Sequence, residues 1–297
     1  MELKTNSITI TYLSKVSFAS LNGADKEVDN INPIKKVTLA NEEQLPYVSS
    51  QAIRRALRDQ LGSSGWPLSK IEPPKSPKAP VVTSLDPKEF IDDDLFGFMD
   101  ASGRTNRTSP VRVEGLLSLS PYKGDLDYGT NFMGEGILTK EGKRVEPNIF
   151  ETEIHSGFYK GTILIELDRI GSGQGFEEDG ELAPEEKTKR VLGFLDAFQN
   201  LWSSGRQTRF LADISPKFVA AAYMKAKNPI FLESVQIADG NKVNLDQLKQ
   251  VAKDYDRFVE DYTLAGQSAI FQNSDEMNSL SEGFDKIRSW VHEHYKA

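Results

Sequence analysis

The sequence contains no cysteine, and this absence excludes several classes of chemistry at once. Disulfide bridges, thiolate metal sites, iron–sulfur clusters and cysteine nucleophiles all require that residue. No apolar run approaches the ~18 residues that cross a bilayer. The first residues also lack the basic-then-apolar pattern of a signal peptide. From these absences we expect a cytoplasmic protein that does not contact a membrane.

Histidine is also scarce, with three in the chain. His292 and His294 are two residues apart near a helix end, so they do not share a helix face and cannot chelate a metal together. His155 stands alone, and we expect all three at the surface. The run Asp92–Asp94 is interpreted as a solvated stretch before a helix rather than as a cation site. No metal, no cofactor and no catalytic residues are predicted, because nothing forms a catalytic constellation.

The composition is that of a folded protein, with 38% hydrophobic and 27% charged residues. A length of 297 residues is more than one average domain and fewer than three. The net charge of −8 argues at first against nucleic acid. However, residues 168–186 alone carry −6, so the rest of the chain is nearly neutral. Since phosphate contacts depend on the local field, a basic groove elsewhere is compatible with this composition.

Hydrophobic periodicity predicts a mixed α+β fold. Strands are predicted at residues 7–18, 111–120, 158–168 and 208–225, and helices at residues 50–61, 187–202, 245–262 and 280–291. Once the irregular insertions are removed, the order is β-α-β-β-α-β followed by helices. This is the split βαβ order of ferredoxin-like and RNA-recognition (RRM-like) folds.

Three arginine-rich segments point to phosphate binding. The flank of the first helix carries Gln51, Arg54, Arg55 and Arg58; a second segment runs from Arg104 through Arg107 to Arg112, and a third from Ser203 to Arg209. The second and third contain no acidic residue and include hydroxyl or amide side chains, which suit phosphate oxygens. Gly205 allows a close backbone approach in the third. Together with the predicted fold, these segments favour RNA binding.

At these residues the chain resembles the backbone subunit of multi-subunit CRISPR effector complexes (Cascade), within the RAMP superfamily and the seventh Cas family. It is most similar to the DevR-type subunit of subtype I-B. The pieces that carry the resemblance are Leu21-Asn22-Gly23, the stretch Pro46–Arg58, Asp94-Leu95-Phe96-Gly97, Arg107-Thr108-Ser109-Pro110-Val111, Asp127-Tyr128-Gly129-Thr130-Asn131, and Gly205-Arg206-Gln207-Thr208-Arg209 with Asp213-Ile214-Ser215-Pro216. Each piece is weak alone, and their order and spacing make the resemblance specific.

The resemblance implies a discontinuous architecture. An RRM-like palm would comprise residues 1–61 and 111–235, with a finger-like insertion at 62–110 and a thumb-like insertion at 121–156. Residues 236–297 would form a C-terminal helical segment. Such subunits are not nucleases. They stack as a filament along the guide crRNA, bind its sugar–phosphate backbone and present the spacer for pairing with target DNA.

The implied partners are therefore the guide RNA, target DNA through pairing, neighbouring copies of the chain and other Cascade subunits. The predicted RNA contacts are Asn22, Gly23, Ser49, Ser50, Gln51, Arg54, Arg55, Arg58, Arg104, Arg107, Tyr122, Lys123, Asn131, Phe132, Met133, Gly205, Arg206, Gln207 and Arg209. Two alternatives stay open. One is a stand-alone endoribonuclease of the same superfamily that processes CRISPR RNA, and the other is a scaffold protein that binds no nucleic acid.

Overall fold

A computed structural model describes residues 4–25, 30–71, 83–100, 105–131, 136–144, 148–177, 180–203 and 208–296. Within these ranges, every helix is too short or too polar to span a lipid bilayer. The helices are α1 (Ser50–Ser63), α2 (Ile91–Phe96), α3 (Pro184–Gln199), α4 (Leu245–Asp254) and α5 (Leu280–Tyr295), with 3-10 turns at Leu167–Arg169 and Ser274–Glu276.

The strands in chain order are β1 (Ser7–Ala19), β2 (Ile31–Asn32), β3 (Lys36–Thr38), β4 (Gln44–Val48), β5 (Phe98–Asp100), β6 (Thr105–Arg107), β7 (Val111–Val113), β8 (Leu116–Ser118), β9 (Leu126–Asn131), β10 (Asn148–Glu153), β11 (His155–Glu166), β12 (Phe218–Met224), β13 (Ile237–Ala238), β14 (Lys242–Val243), β15 (Val259–Gly266) and β16 (Asn278–Ser279). Most of them belong to one large sheet.

That sheet is built around β1, which pairs antiparallel with β11 on one side and β12 on the other. Its order is β16-β15-β12-β1-β11-β8-β4-β3, and β7 also pairs with β11. The first eight residues of β1 are all buried, as expected for a central strand covered on both faces. The large sheet is therefore the frame on which the other elements are placed.

Helices α1, α3 and α5 cover one face of the sheet. Ile53, Leu57 and Leu61 of α1 recur at helical spacing and are fully buried in a core that includes Phe198 of α3 and Phe284 of α5. The opposite face packs against α4 and the chain before it in a second core. The periodicity-based predictions of α1, α3 and α5 are thus confirmed.

Three element predictions needed correction. The predicted strand 208–225 is a strand only over Phe218–Met224. The predicted strand 111–120 is two short strands separated by Glu114 and Gly115, and a Cβ at Gly115 would come 2.6 Å from the carbonyl oxygen of Val48. The predicted helix 245–262 ends at Asp254 and is followed by β15, which pairs antiparallel with β12. The C-terminal segment is therefore not purely helical, since it supplies two strands of the large sheet.

The described residues of 121–131, 136–144 and 148–154 form an arm outside the large sheet. Its strands β9 and β10 pair antiparallel, and β10 adds β2 in parallel to give a three-stranded sheet. The cross-strand register places Leu126, Tyr128 and Ile149 on the same face of this sheet, and all three are exposed. The sequence predicts no regular element in this segment, because its apolar residues lack a clear period.

Candidate nucleic-acid interface

Three segments predicted to contact RNA meet around one cavity, which has a volume of about 250 Å³. It lies between the loop after β1, the first two turns of α1 and the chain after α3. Its lining residues are Ser20, Leu21, Asn22, Gly23, Val48, Ala52, Ile53, Arg55, Ala56, Ser203 and Ile214. The fold thus brings together segments that are far apart in the sequence. We call this space the β1–α1 cavity.

Hydrogen bonds fasten the loop after β1 to the start of α1. The backbone N–H of Ser49 donates to Asn22 Oδ1 at 2.9 Å, and Ser49 Oγ accepts from the N–H of Ala52 at 3.3 Å as the helix N-cap. Ser50 Oγ donates to the carbonyl oxygen of Val113 at 2.7 Å. These side chains position the helix, and their contact with RNA stays a prediction. Gly23 and Gln51, in contrast, are exposed.

The three arginines of α1 differ in what they contact. Arg55 is the most accessible, with 70% of its side chain exposed, and it pairs with Asp59 one turn along the helix. Arg54 is partly buried, and burial followed by the charge of Arg58 lowers its pKa. Arg58 donates from Nε to an oxygen of Asp92 at 3.1 Å. Arg55 therefore has the freest guanidinium on this flank.

Arg107 does not lie on the surface, which is a correction to its predicted role. Its side chain is fully buried and forms an ion pair with Asp94. The guanidinium also donates to the carbonyl oxygens of Arg169 at 2.7 Å, Ser172 at 2.9 Å and Gln174 at 2.6 Å. All of its donor atoms are thus used inside the fold, and we assign it a structural role.

Arg209 lies where the arm meets the body of the molecule. It forms an ion pair with Asp127 of β9, and its Nη1 donates to Thr152 Oγ1 of β10 at 3.3 Å. The guanidinium also lies over the rings of Phe150 and Phe210, at 5.1 and 5.3 Å. Arg209 is one-third exposed, so it connects the arm to the body and still reaches solvent.

Tyr122 and Lys123 lie at the base of the arm. The Tyr122 hydroxyl donates to the carbonyl oxygen of Asp125 at 3.0 Å, and Lys36 lies over the ring at 4.3 Å. Burial and the nearby carboxylate of Glu153 raise the pKa of Tyr122. Lys123 is exposed. Of the remaining predicted contacts, Arg104, Phe132, Met133, Gly205, Arg206 and Gln207, together with the side chain of Asn131, lie outside the described residues.

The acidic run Asp92–Asp94 is buried, so its interpretation as a solvated stretch was wrong. Asp94 pairs with both Arg107 and Arg190, and Asp93 accepts a bond from Thr83 at 2.9 Å. A local sequence pattern cannot show this, because the partners come from distant segments. The run ties the described residues of 83–100 and 105–110 to the body of the molecule.

His155 is likewise buried rather than on the surface. It is 5% exposed, and its Nδ1 lies 2.8 Å from the hydroxyl of Tyr159. Burial lowers its pKa. His294 is partly buried against Tyr223, whereas His292 is exposed as predicted. Sequence reasoning missed His155 because it is the first residue of a strand with weak periodicity at that end.

Comparison with known proteins assigns the chain to a family. A family model described as "CRISPR-associated negative auto-regulator DevR/Csa2" matches residues 72–245. The protein "CRISPR-associated protein Cas7/Cst2/DevR" of Myxococcus xanthus (strain DK1622) is 26% identical over 204 residues, which is 65% of this chain and 63% of that relative. The chain therefore matches less than two thirds of the length of this curated relative.

Two solved structures share the fold. A chain of a "CRISPR RNA-guided surveillance complex, pre-nicking" is similar over 96% of this chain and 100% of its own length, with a TM-score of 0.63 and 16% identity. A chain of a "CRISPR RNA-guided surveillance complex" gives a TM-score of 0.60 and 17% identity over 95% of this chain and 98% of that chain. Because the family model covers more than half of the chain, this protein belongs to the DevR/Csa2 family of CRISPR-associated, Cas7-type proteins.

Proposed function

We propose that this protein is the backbone subunit of a type I, I-B-like Cascade complex and binds the sugar–phosphate backbone of the guide crRNA. The convergence of the predicted segments around the β1–α1 cavity is the observation that carries the proposal. Arg55 lines this cavity and offers a largely exposed guanidinium. The cytoplasmic location expected from the sequence stays a prediction.

The chemistry of the surface agrees with this role. A protein that holds guides of any sequence must contact phosphate and sugar and leave the base edges free for pairing with target DNA. Arginine, amide and backbone groups are suited to such contacts.

We propose that the subunit itself is not an enzyme. The endoribonuclease alternative predicts cleavage of repeat RNA by the purified chain, which a gel assay detects.

The strand arrangement supports an RRM-like palm. Apart from insertions, the order along the chain is β1, α1, β7 with β8, β11, α3 and β12, which is β-α-β-β-α-β. In the sheet, β1 and β11 are central neighbours, with β12 outside β1 and β7 and β8 outside β11. Both helices lie on the same face. We interpret residues 62–110 as the fingers and the arm as the thumb.

Filament growth along the guide requires a head-to-tail contact between unlike surfaces of successive copies. The exposed face of the arm, which carries Leu126, Tyr128 and Ile149, is the surface we propose for that contact. Exposed apolar groups that share one face are typical of interaction sites. Contacts with other Cascade subunits belong to the same proposal.

Binding of unrelated guides at several salt concentrations tests the function. Wild type is expected to bind different spacers with similar affinity, because the contacts are to the backbone. Arg55→Gln should weaken all of them about equally and reduce the salt slope by about one. Arg257→Gln, which alters another exposed arginine before β15, is the matched control and should bind as wild type.

Two outcomes would contradict the proposal. If the pure chain carries no nucleic acid and binds none at low salt, the scaffold alternative is favoured. If Arg55→Gln weakens binding to one spacer and not to another, the protein reads bases and not the backbone.

A further inference from the structure

We propose that Asp92 is a positioning residue for RNA binding, which holds the guanidinium of Arg58 so that its two Nη atoms face a phosphate of the guide. The inference rests on the proposed function and goes beyond it. Asp92 belongs to α2, in the insertion interpreted as the fingers, and is itself too buried to touch RNA. Through Asp92, this insertion sets the affinity of α1 for RNA without contacting the RNA at this point.

Asp92 connects α1 to the chain that follows it. Its Oδ2 accepts from Arg58 Nε at 3.1 Å, and its Oδ1 accepts from the backbone N–H of Ser69 at 2.8 Å. The side chain of Asp92 is 4% exposed, whereas that of Arg58 is 29% exposed. The anchor is therefore buried, and the group that it holds still reaches solvent. Asp93 and Asp94, its neighbours in α2, are engaged elsewhere in the fold.

The guanidinium of Arg58 is fixed by two contacts, both from α2. Asp92 occupies its Nε, and its central carbon lies over the ring of Phe96 at 4.8 Å, which is a cation–π contact. Neither Nη1 nor Nη2 of Arg58 has a partner in the described part of the chain. These two atoms form an edge of the planar group that suits two parallel hydrogen bonds to a phosphate. The contacts of Arg58 therefore leave this edge free.

A second guanidinium adds positive charge beside Arg58. Arg54 lies one helical turn earlier on α1, and its Nε donates to Ser50 Oγ at 3.3 Å. Burial, followed by the charge of Arg58, lowers the pKa of Arg54, as expected for a cation that lies close to another cation. A bound phosphate offsets the repulsion between the two guanidiniums, so the pair favours an anion.

Another ion pair on α1 shows what distinguishes Asp92. Asp59 accepts from Arg55 Nε at 2.9 Å in the same manner, but both side chains belong to one helix and are largely exposed. Exposed pairs of this kind are weak and do little to order a side chain. An arginine that is already ordered before RNA arrives avoids the entropy cost of ordering it on binding. We therefore expect the removal of Asp92 and of Asp59 to affect RNA binding differently.

A double-mutant cycle tests the inference. The probe is a fluorescein-labelled oligouridine of about ten nucleotides, within the range of single-strand site sizes, and fluorescence anisotropy measures its affinity for the full-length chain. Asp92→Asn keeps the shape of the side chain, but its single amide oxygen replaces two carboxylate oxygens that have different partners. We expect it to bind the probe about fivefold more weakly, although it removes a negative charge. Combined with Arg58→Gln, it should change the affinity by less than about twofold, because the residue through which it acts is gone.

Asp59→Asn is the matched control, since it makes the same chemical change in the acidic partner of Arg55. It should bind the probe as tightly as wild type or more tightly, because it removes a carboxylate that repels phosphate. Should Asp92→Asn fail to fold, Phe96→Leu removes the ring beneath Arg58 and keeps the position apolar. That variant is expected to bind about threefold more weakly, as the loss of a cation–π contact implies, and only while Arg58 is present.

Three results would overturn the inference and leave the proposed function intact. If Asp92→Asn binds the probe as tightly as wild type or more tightly, its position does not matter for RNA binding. If it weakens binding equally with and without Arg58, it acts on the fold and not through that arginine. If Arg58→Gln binds as wild type, Arg58 does not contact the RNA. If wild type binds no RNA at all, the proposed function falls with the inference.

Discussion

Two arginines that the sequence predicted as RNA contacts stand at opposite extremes of burial. Arg107 has a fully buried side chain paired with Asp94, whereas Arg55 is 70% exposed and pairs only with Asp59 along the same helix. Ion pairs of the first kind are strongly coupled to folding, and those of the second kind contribute little. Sequence alone could not separate them, because both occur in polar, arginine-rich segments.

Replacement by methionine should therefore reduce stability at Arg107 and RNA binding at Arg55. Arg107→Met leaves Asp94 with one buried cation fewer and is expected to reduce the free energy of unfolding by about 3–5 kcal/mol. Arg55→Met should leave stability within about 0.5 kcal/mol of wild type and weaken RNA binding. Urea unfolding and RNA titration of both variants measure the two effects. Equal stability of the two variants would contradict this assignment.

His155 makes stability depend on pH in a defined direction. Its pKa is lowered from 6.5 by burial, which outweighs the opposing effects of the Pro121 carbonyl and Asp125. Above pH 6.5 the residue is neutral whether the chain is folded or unfolded. Below it, the unfolded chain takes up the proton first, so the folded state loses stability as the pH falls.

We expect His155→Gln to flatten the loss of stability between about pH 7.5 and about pH 5.5, where histidine titrates. His292→Gln, in which an exposed histidine is replaced, should retain the wild-type dependence. Chemical denaturation at several pH values is the measurement. His294 is also partly buried, and burial lowers its pKa, so part of the dependence should persist in His155→Gln.

At the scale of elements, hydrophobic periodicity was sufficient where an element has one buried face. The helices α1 and α3 and the long strand β1 were all predicted within a few residues. In the predicted helix 245–262 it failed at residues 255–262, because apolar residues at helical spacing continue past Asp254 into β15. There the pairing with β12, a tertiary contact, overrides the local pattern.

The start of α5 offers a test of local stabilisation. Ser279 Oγ accepts from the N–H of Glu282 at 3.3 Å, and the Glu282 carboxylate accepts from the N–H of Ser279 at 2.9 Å, which is a capping box. Ser279→Ala should therefore lower the free energy of unfolding by about 1 kcal/mol. Ser281→Ala, two residues into the helix and exposed, serves as the control in the same denaturation experiment.

The whole molecule separates into a body with two cores and an arm. Neither core includes any described residue between 124 and 150. The arm is held at its base by contacts such as those of Arg209 with Asp127 and Thr152. Along the chain the arm lies between β8 and β11, and its identity as the thumb of a palm stays a prediction.

Deletion of residues 124–150, with a short glycine linker in their place, should therefore give a folded monomer. If the arm is the thumb, this variant no longer assembles along guide RNA, and the bound RNA becomes open to nuclease. Size-exclusion chromatography and nuclease protection measure the two outcomes. Full-length filaments from the variant would refute the thumb assignment, and an unfolded monomer would show that the arm belongs to the core.

The pairing of β1 also has a consequence for synthesis. The sheet neighbours of this strand, β11 and β12, are synthesised well after it, because they begin at His155 and Phe218. At 5–20 residues per second, about 7–30 s pass between the synthesis of β1 and the completion of β11, and the nascent chain carries β1 without a sheet partner during that time. Chaperones have their longest opportunity to bind β1 in that interval. The β1–α1 cavity cannot be complete before Ile214 is made, although Ser20, which also lines it, directly follows β1.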